Sequence, residues 1–257
     1  QQVIVCHLRR LDMHILLVDC FPRLHKRLND LGVKLTLFAK REDFPYVSGC
    51  HDIYERIIFI GKDKDIVEWK KVAESIHDFD PFDKVVSFPA LSSALPLFLS
   101  RALHLHFEYS SDLIHRFNNN LSMIKTLTSL GLDYTPALLV YSVKDIEGFG
   151  EEFGFPIVLK PVNGIGSVGV SVIQGKSSIS AAIEWFEKRS VSARPWIGDE
   201  PDQLYVEKWI RGQEFSVESF SESGMHKVIC VTQKLKEENH CVGQGHCLPA
   251  LINEEQY

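Results

Sequence analysis

A lysine that ends an apolar strand and runs straight into a glycine-rich loop is suited to holding phosphate. The chain has this arrangement in Phe155-Pro-Ile-Val-Leu-Lys160-Pro-Val-Asn-Gly-Ile-Gly-Ser-Val-Gly169. Lys160 supplies a fixed positive charge, and the loop, bare of side chains at Gly164, Gly166 and Gly169, lets backbone N–H groups close on phosphate oxygens. At domain-scale spacing follows Tyr205-Val-Glu-Lys-Trp-Ile-Arg-Gly-Gln-Glu214. Its two acids, Glu207 and Glu214, flank an apolar stretch and are placed to hold a base and a sugar. The two segments together read as a nucleotide site.

The elements around the loop narrow that reading. Gly164-Ile-Gly-Ser-Val-Gly169 satisfies GxGxxG, but a dinucleotide fold needs a helix next, to set its N-terminal dipole on the pyrophosphate. Here Val168-Gly-Val-Ser-Val-Ile173 alternates and is β-branched, so a strand is expected and a dehydrogenase is disfavoured. A strand-loop-strand glycine loop also occurs in protein kinases, yet no His-Arg-Asp or Asp-Phe-Gly motif follows.

Strand, Lys160, the loop from Asn163 to Gly169, and Val206-Glu-Lys-Trp-Ile-Arg-Gly-Gln-Glu-Phe-Ser-Val-Glu218 together resemble the ATP-grasp superfamily. The second stretch is very similar to that of D-alanine-D-alanine ligases. Thr232-Gln-Lys234 through Gly245-His-Cys-Leu-Pro-Ala250 resembles the L-amino-acid ligase branch, where Gly-His and Pro-Ala follow a lysine-bearing strand. The resemblance runs from about Asn118 to the end and is only architectural before residue 110. It implies an ADP-forming carboxylate-amine ligase that makes an amide or dipeptide bond through an acyl phosphate, with ATP and Mg2+ as cofactors.

Roles follow by the same resemblance. Lys160 meets the α and β phosphates, and Gly166, Ser167 and Gly169 belong to a lid. Glu207 and Lys208 meet the adenine, the Trp209-Ile210 backbone completes the base contacts, and Glu214 accepts the ribose hydroxyls. Lys234 is the γ-phosphate contact, in competition with Lys236 two residues on, and His246 borders the acceptor substrate. Each has a plainer alternative: solvated strand-end lysines, surface acids, a core tryptophan, a structural histidine.

The sequence also departs from the family. Counting back from Gly131, the place of a phosphate-binding lysine near a helix start falls on Asn120, which keeps a donor and loses a charge. The acid expected three residues before His246 is Gly243. The Mg2+ ligands are expected beyond residue 257, none being visible before it. Two further readings therefore stand beside the ligase: a non-catalytic ATP-binding module, and an ATP-grasp ligase acting on a carrier protein or purine precursor.

The whole chain bounds these readings. Its 257 residues, 45% hydrophobic, suit roughly two domains at about 150 residues each. With 28 Lys+Arg against 34 Asp+Glu there is no basic footprint for nucleic acid or an anionic membrane. The resemblance implies a small carboxylate and a small amine as partners, with a homodimer as the assembly to test. Ala90 to Leu105 is too interrupted by polar residues to span a membrane and reads as a buried helix. Six cysteines without CxxC spacing fit reduced thiols and a cytoplasmic setting; the pairs His240-Cys241 and His246-Cys247 are the one arrangement with soft metal ligands. The chain opens without Met, as an internal piece would, with Met13 as a possible start.

The expected fold class is α/β: a Rossmann-like (pre-ATP-grasp) parallel domain over 1–110, a connecting helix and linker over 111–142, an ATP-grasp lid lobe over 143–203, and the start of a truncated second lobe over 204–257. Patterns place strands at His14–Asp19, Val33–Phe38, Ile57–Ile60 and Lys84–Phe88, one helix from Asp112 to Leu130, helices at Val143–Phe153 and Ser177–Arg189, and a flexible connection over Arg194–Asp202. A hairpin is expected from Phe215–Phe220 and Lys227–Thr232.

Overall fold

The computed structural model describes residues 13–60, 66–88, 94–107, 109–132, 135–163, 167–197, 203–222, 224–235 and 244–252. The chain divides into two compact units, residues 1–118 and 119–257.

The first unit contains β1 (His14–Leu17), α1 (Pro22–Asp30), β2 (Lys34–Lys40), α2 (Phe44–Val47), β3 (Arg56–Ile60), α3 (Ile66–His77), β4 (Lys84–Val86), α4 (Ala94–Ala102) and α5 (Ser111–Asn118). Its strands form one parallel sheet in the order β3-β2-β1-β4. Central strands covered on both sides must be apolar at successive positions, and β1 and β2 are. Ile15, Leu17, Leu35 and Leu37 pack with Val33, Val47 and Ile53 on one face. Leu16 and Phe38 pack with Trp69, Ala73 and Ile76 of α3 and Leu99 of α4 on the other. The run expected as a buried helix supplies α4, and among the described residues no helix is long and apolar enough to cross a membrane.

Two polar clusters, one partly exposed and one buried, hold the two ends of this sheet. At the strand starts, Asp80 takes Lys34 Nζ on both carboxylate oxygens, at 2.8 and 2.7 Å, and also binds Arg56. The lysine bond, then the arginine, draws the Asp80 carboxyl down to about 2. At the strand ends, Asp19 accepts the Phe88 N–H at 2.6 Å and meets His25 at 3.2 Å, while the other ring nitrogen of His25 lies 2.7 Å from the Tyr54 hydroxyl. Both ring nitrogens of His25 are thus occupied, one by Tyr54 and one by Asp19.

Because Asp80 has a lower pKa folded than the usual unfolded value near 3.9, its contribution is complete above about pH 4 and is lost as pH falls toward 2. Asp80→Asn is expected to cost roughly 1–2 kcal/mol at neutral pH, less than full linkage because the side chain keeps some solvent. Urea melts should show a shallower loss of stability below pH 4 in the variant; an unchanged acid limb would detach Asp80 from it.

The second unit contains α6 (Asn120–Ser129), β5 (Ala137–Val140), α7 (Val143–Phe153), β6 (Ile157–Pro161), β7 (Ser171–Ile173), α8 (Ile179–Ile197), β8 (Leu204–Lys208), β9 (Phe215–Glu222), β10 (Met225–Leu235) and β11 (Gly245–Cys247). An antiparallel sheet runs β5-β8-β6-β7, and a second runs β11-β10-β9, with β9 and β10 forming the expected hairpin.

Strand alternation gives the first of these sheets two different faces. Ile157, Leu159 and Val206 point to one, where Ile146 and Phe149 of α7 and Ile179 and Ala182 of α8 cover them. Tyr205 points to the other, with Leu121 and Ile124 of α6 packed on it. Lys160 and Glu207 share this second face.

Three expectations are corrected. The helix from Asp112 to Leu130 is two helices, because Asn119 leaves helical angles and its Oδ1 accepts the Ser122 N–H at 2.8 Å, capping α6. The strand expected from Val168 begins only at Ser171, since Ser167 and Gly169 have φ of 60° and 76° and an extended chain cannot pass through them. The connection expected from Arg194 is helical through Ile197, with Pro195 in the last turn of α8, where its missing N–H removes one bond. Residues 198–202 lie outside the described residues.

Candidate functional site

Lys160 is the fourth residue of β6 and stands directly opposite Tyr205 of β8; Val158 stands opposite Glu207. Residues two apart on a strand face the same way, so Lys160, Tyr205 and Glu207 share one face. The Lys160 ammonium lies 2.6 Å from the Glu207 carboxylate and 5.3 Å from the Tyr205 ring centroid. The two charged side chains are only 25% and 16% exposed, so water screens this pair less than a surface one. An ammonium over an aromatic face and beside a carboxylate offers one cation and one acceptor within a few ångströms, which suits a ligand carrying both an anion and an N–H group.

Helix α6 abuts the same strand. The Asn120 N–H donates to the Val162 carbonyl at 2.9 Å, so the start of the helix is tied to a residue two beyond Lys160 in the chain. Asn120 is half-buried there. Of the glycine loop, Gly164 and Gly166 lie outside the described residues, while Ser167 is exposed. Gly169 is buried, and a Cβ on it would sit 3.1 Å from the Phe186 ring and 3.4 Å from Pro161 Cδ. Close packing and a positive φ thus both require glycine at 169.

Past Glu207 the strand reverses its faces. Lys208 stands opposite Ile157, so its side chain points away from Glu207's face, and its N–H donates to the Pro136 carbonyl at 3.2 Å. Trp209 is half-buried and Ile210 exposed.

The remaining acid and lysine meet on the other sheet. Lys234 Nζ lies 2.9 Å from Glu214, the Lys234 N–H donates to the Glu214 carbonyl at 2.8 Å, and Gln213 Nε2 donates to the Lys234 carbonyl at 2.6 Å. His246 stands directly opposite Lys234 across β10 and β11 and is exposed. The expected site residues thus gather as two lysine-glutamate pairs, Lys160 with Glu207 and Lys234 with Glu214, on different sheets.

Sequence reasoning missed Tyr205 and Gln213. Tyr205 precedes Glu207 by two and Lys160 faces it, so strand alternation alone marks it; Gln213 has no such signal. Lys236, His240, Cys241 and Gly243 lie outside the described residues. Among the described residues no three His, Cys, Asp or Glu side chains gather as a metal site.

Residues 153–257 match the ATP-grasp domain family. A D-alanine--D-alanine ligase of Geobacter sulfurreducens is 24% identical over 113 residues, 44% of this chain and 32% of that protein. The crystal structure of an L-amino acid ligase from Bacillus licheniformis superposes with a TM-score of 0.72 at 21% identity, covering 96% of this chain and 57% of that one. An N5-carboxyaminoimidazole synthetase from Staphylococcus aureus, complexed with ADP, gives 0.72 at 16% identity over 96% of this chain and 61% of that one. The chain therefore spans about a third of the curated relative and about three fifths of the solved structures. The parallel first unit and the two antiparallel sheets have the fold of these structures.

Proposed function

We propose that the chain is the nucleotide-binding part of an ATP-dependent carboxylate-amine ligase. The observation that carries this is the Lys160–Glu207 pair on one sheet face, flanked by the start of α6 and the turn at residues 167–169. Lys160 binds the α and β phosphates, and Glu207 accepts from the adenine amino group with the Lys208 to Ile210 backbone beside it. Ser167, Gly166 and Gly169 belong to the loop over the phosphates, Asn120 donates a side-chain N–H to them, and Glu214 accepts the ribose hydroxyls. Lys234 serves the γ-phosphate, and His246 borders the acceptor substrate. Magnesium, when bound, would neutralise phosphate charge.

In the complete reaction a substrate carboxylate oxygen attacks the γ-phosphorus. The new P–O bond forms as the bond to the β-phosphate oxygen breaks, giving an acyl phosphate and ADP. An amine nitrogen then attacks the acyl carbon, its C–N bond replacing the C–O bond to phosphate, with loss of inorganic phosphate and a proton. Such transfer is carried mainly by positioning and charge neutralisation, for which two lysines on separate sheets are suited. Small amino-acid-like carboxylates and amines are the substrates we favour, with a homodimer and a cytoplasmic setting.

The complete natural polypeptide, screened against pairs of amino acids, should release ADP and inorganic phosphate in equal amounts. AMP with pyrophosphate would indicate adenylation and contradict the acyl phosphate. A second reading, a non-catalytic ATP-binding module, is favoured by Asn120, which leaves the start of α6 without a cationic side chain. That reading predicts nucleotide binding with no turnover for any pair.

A further inference from the structure

Resting on the nucleotide reading above, we infer that the Glu214–Lys234 pair is the element by which the site distinguishes a nucleoside triphosphate from a nucleoside. Lys234 is exchanged from the Glu214 carboxylate to the terminal phosphate, and Glu214 passes at the same time to the ribose hydroxyls.

The geometry allows the exchange without moving the backbone. The Lys234 main chain is fixed at both ends of its peptide, with its N–H on the Glu214 carbonyl and its carbonyl on Gln213 Nε2, and the residue is registered against His246 in the next strand. Only the side chain is left to swing. Its ammonium sits 2.9 Å from Glu214, and the two side chains are 32% and 39% exposed, open enough to solvent for a ligand to reach both. A pair this exposed is weakly held, so opening it is inexpensive provided each partner finds a replacement.

A triphosphate nucleotide supplies both replacements. The ammonium gains phosphate oxygens, the carboxylate gains two hydroxyl donors, and neither charge is left unpaired. Adenosine supplies only one, so its hydroxyls must compete with Lys234 for the same carboxylate oxygens. Inorganic tripolyphosphate supplies the other, and must draw Lys234 from an acid that gains nothing. Ribose and phosphates therefore bind with positive coupling, each removing the partner that opposes the other.

The test is titration calorimetry on the 257-residue chain with adenosine, tripolyphosphate and the β,γ-imido analogue of ATP. The variants are Glu214→Gln, Lys234→Met, the double variant and Lys234→Arg. Lys234→Met should weaken the imido analogue by about tenfold or more, while adenosine binds more tightly; Lys234→Arg should restore most of the loss. Glu214→Gln should strengthen tripolyphosphate, and this gain should vanish when Lys234 is also replaced. A gain that persists in the double variant, or an equal loss of all three ligands in Lys234→Met, would overturn the exchange and leave the nucleotide reading standing. A wild-type chain that binds neither adenosine nor the imido analogue would remove the nucleotide reading, and the exchange with it.

Discussion

Replacing Lys160 with alanine should lower ATP affinity about a hundredfold while the circular dichroism spectrum stays that of the wild type. The size follows from what is lost. Lys160 is a three-quarters-buried cation whose acid partner Glu207 lies 2.6 Å away, and a charge-assisted contact to phosphate from such a position is worth roughly 2–3 kcal/mol. Removing the ammonium also leaves Glu207 with its negative charge beside the incoming nucleotide. A modest loss of stability, about 1 kcal/mol, should accompany it, because Glu207 is mostly buried and loses its counterion. Lys160→Met separates the two effects, since its apolar stem can still lie over Tyr205. Calorimetry checks the affinity and urea melts the stability; an ATP affinity unchanged in both variants would remove Lys160 from the site.

Asn120→Lys should act in the other direction, raising ATP affinity about tenfold at low salt. Asn120 is the first residue of α6, and its N–H is already committed to the Val162 carbonyl, which anchors the helix start beside the end of β6. A lysine there adds a full charge where the asparagine offers only a neutral donor. Raising the ionic strength toward 1 M should erase much of the gain, because the Debye length shrinks to about 3 Å. The cation faces the positive end of the helix dipole, so a fall in stability of roughly 0.5 kcal/mol is expected as well. Affinity that does not respond, measured in 50 mM and in high salt, would mean that the start of α6 does not face the phosphates.

The two sites of substitution also show what was legible in the chain. Lys160 could be found because a strand signal and a glycine loop flank it, and Glu207 because the alternation of Leu204 to Lys208 fixes which way it points. The parallel first unit was legible for a like reason: Leu16 and Leu17, and Leu37 and Phe38, are apolar at successive positions because both faces of the sheet are covered. Local conformations decided by single residues were not. Asn119 breaks a continuous helical pattern by capping the next helix, and asparagine carries that option without announcing it. Ser167 turns the chain with a positive φ that its type does not suggest, shortening the strand that β-branched residues had favoured.

Pairing across strands was the other hidden layer. Lys234 and Glu214 are distant in sequence, and only the register of β9 on β10, with Phe215 opposite Gln233, sets them side by side. The same holds at Asp80, which collects Lys34 and Arg56 from the starts of two different strands. Charged partners of this kind follow from topology and not from spacing along the chain.

The most direct test of the nucleotide site is an amide chemical-shift map of the isotope-labelled chain during titration with ATP. We expect the largest changes at Lys160, residues 167–169, the stretch from Tyr205 to Glu214, and Lys234, with the strands of the first unit little affected. Changes centred on residues 14–88, with Lys160 and Glu207 unmoved at saturation, would contradict the assignment.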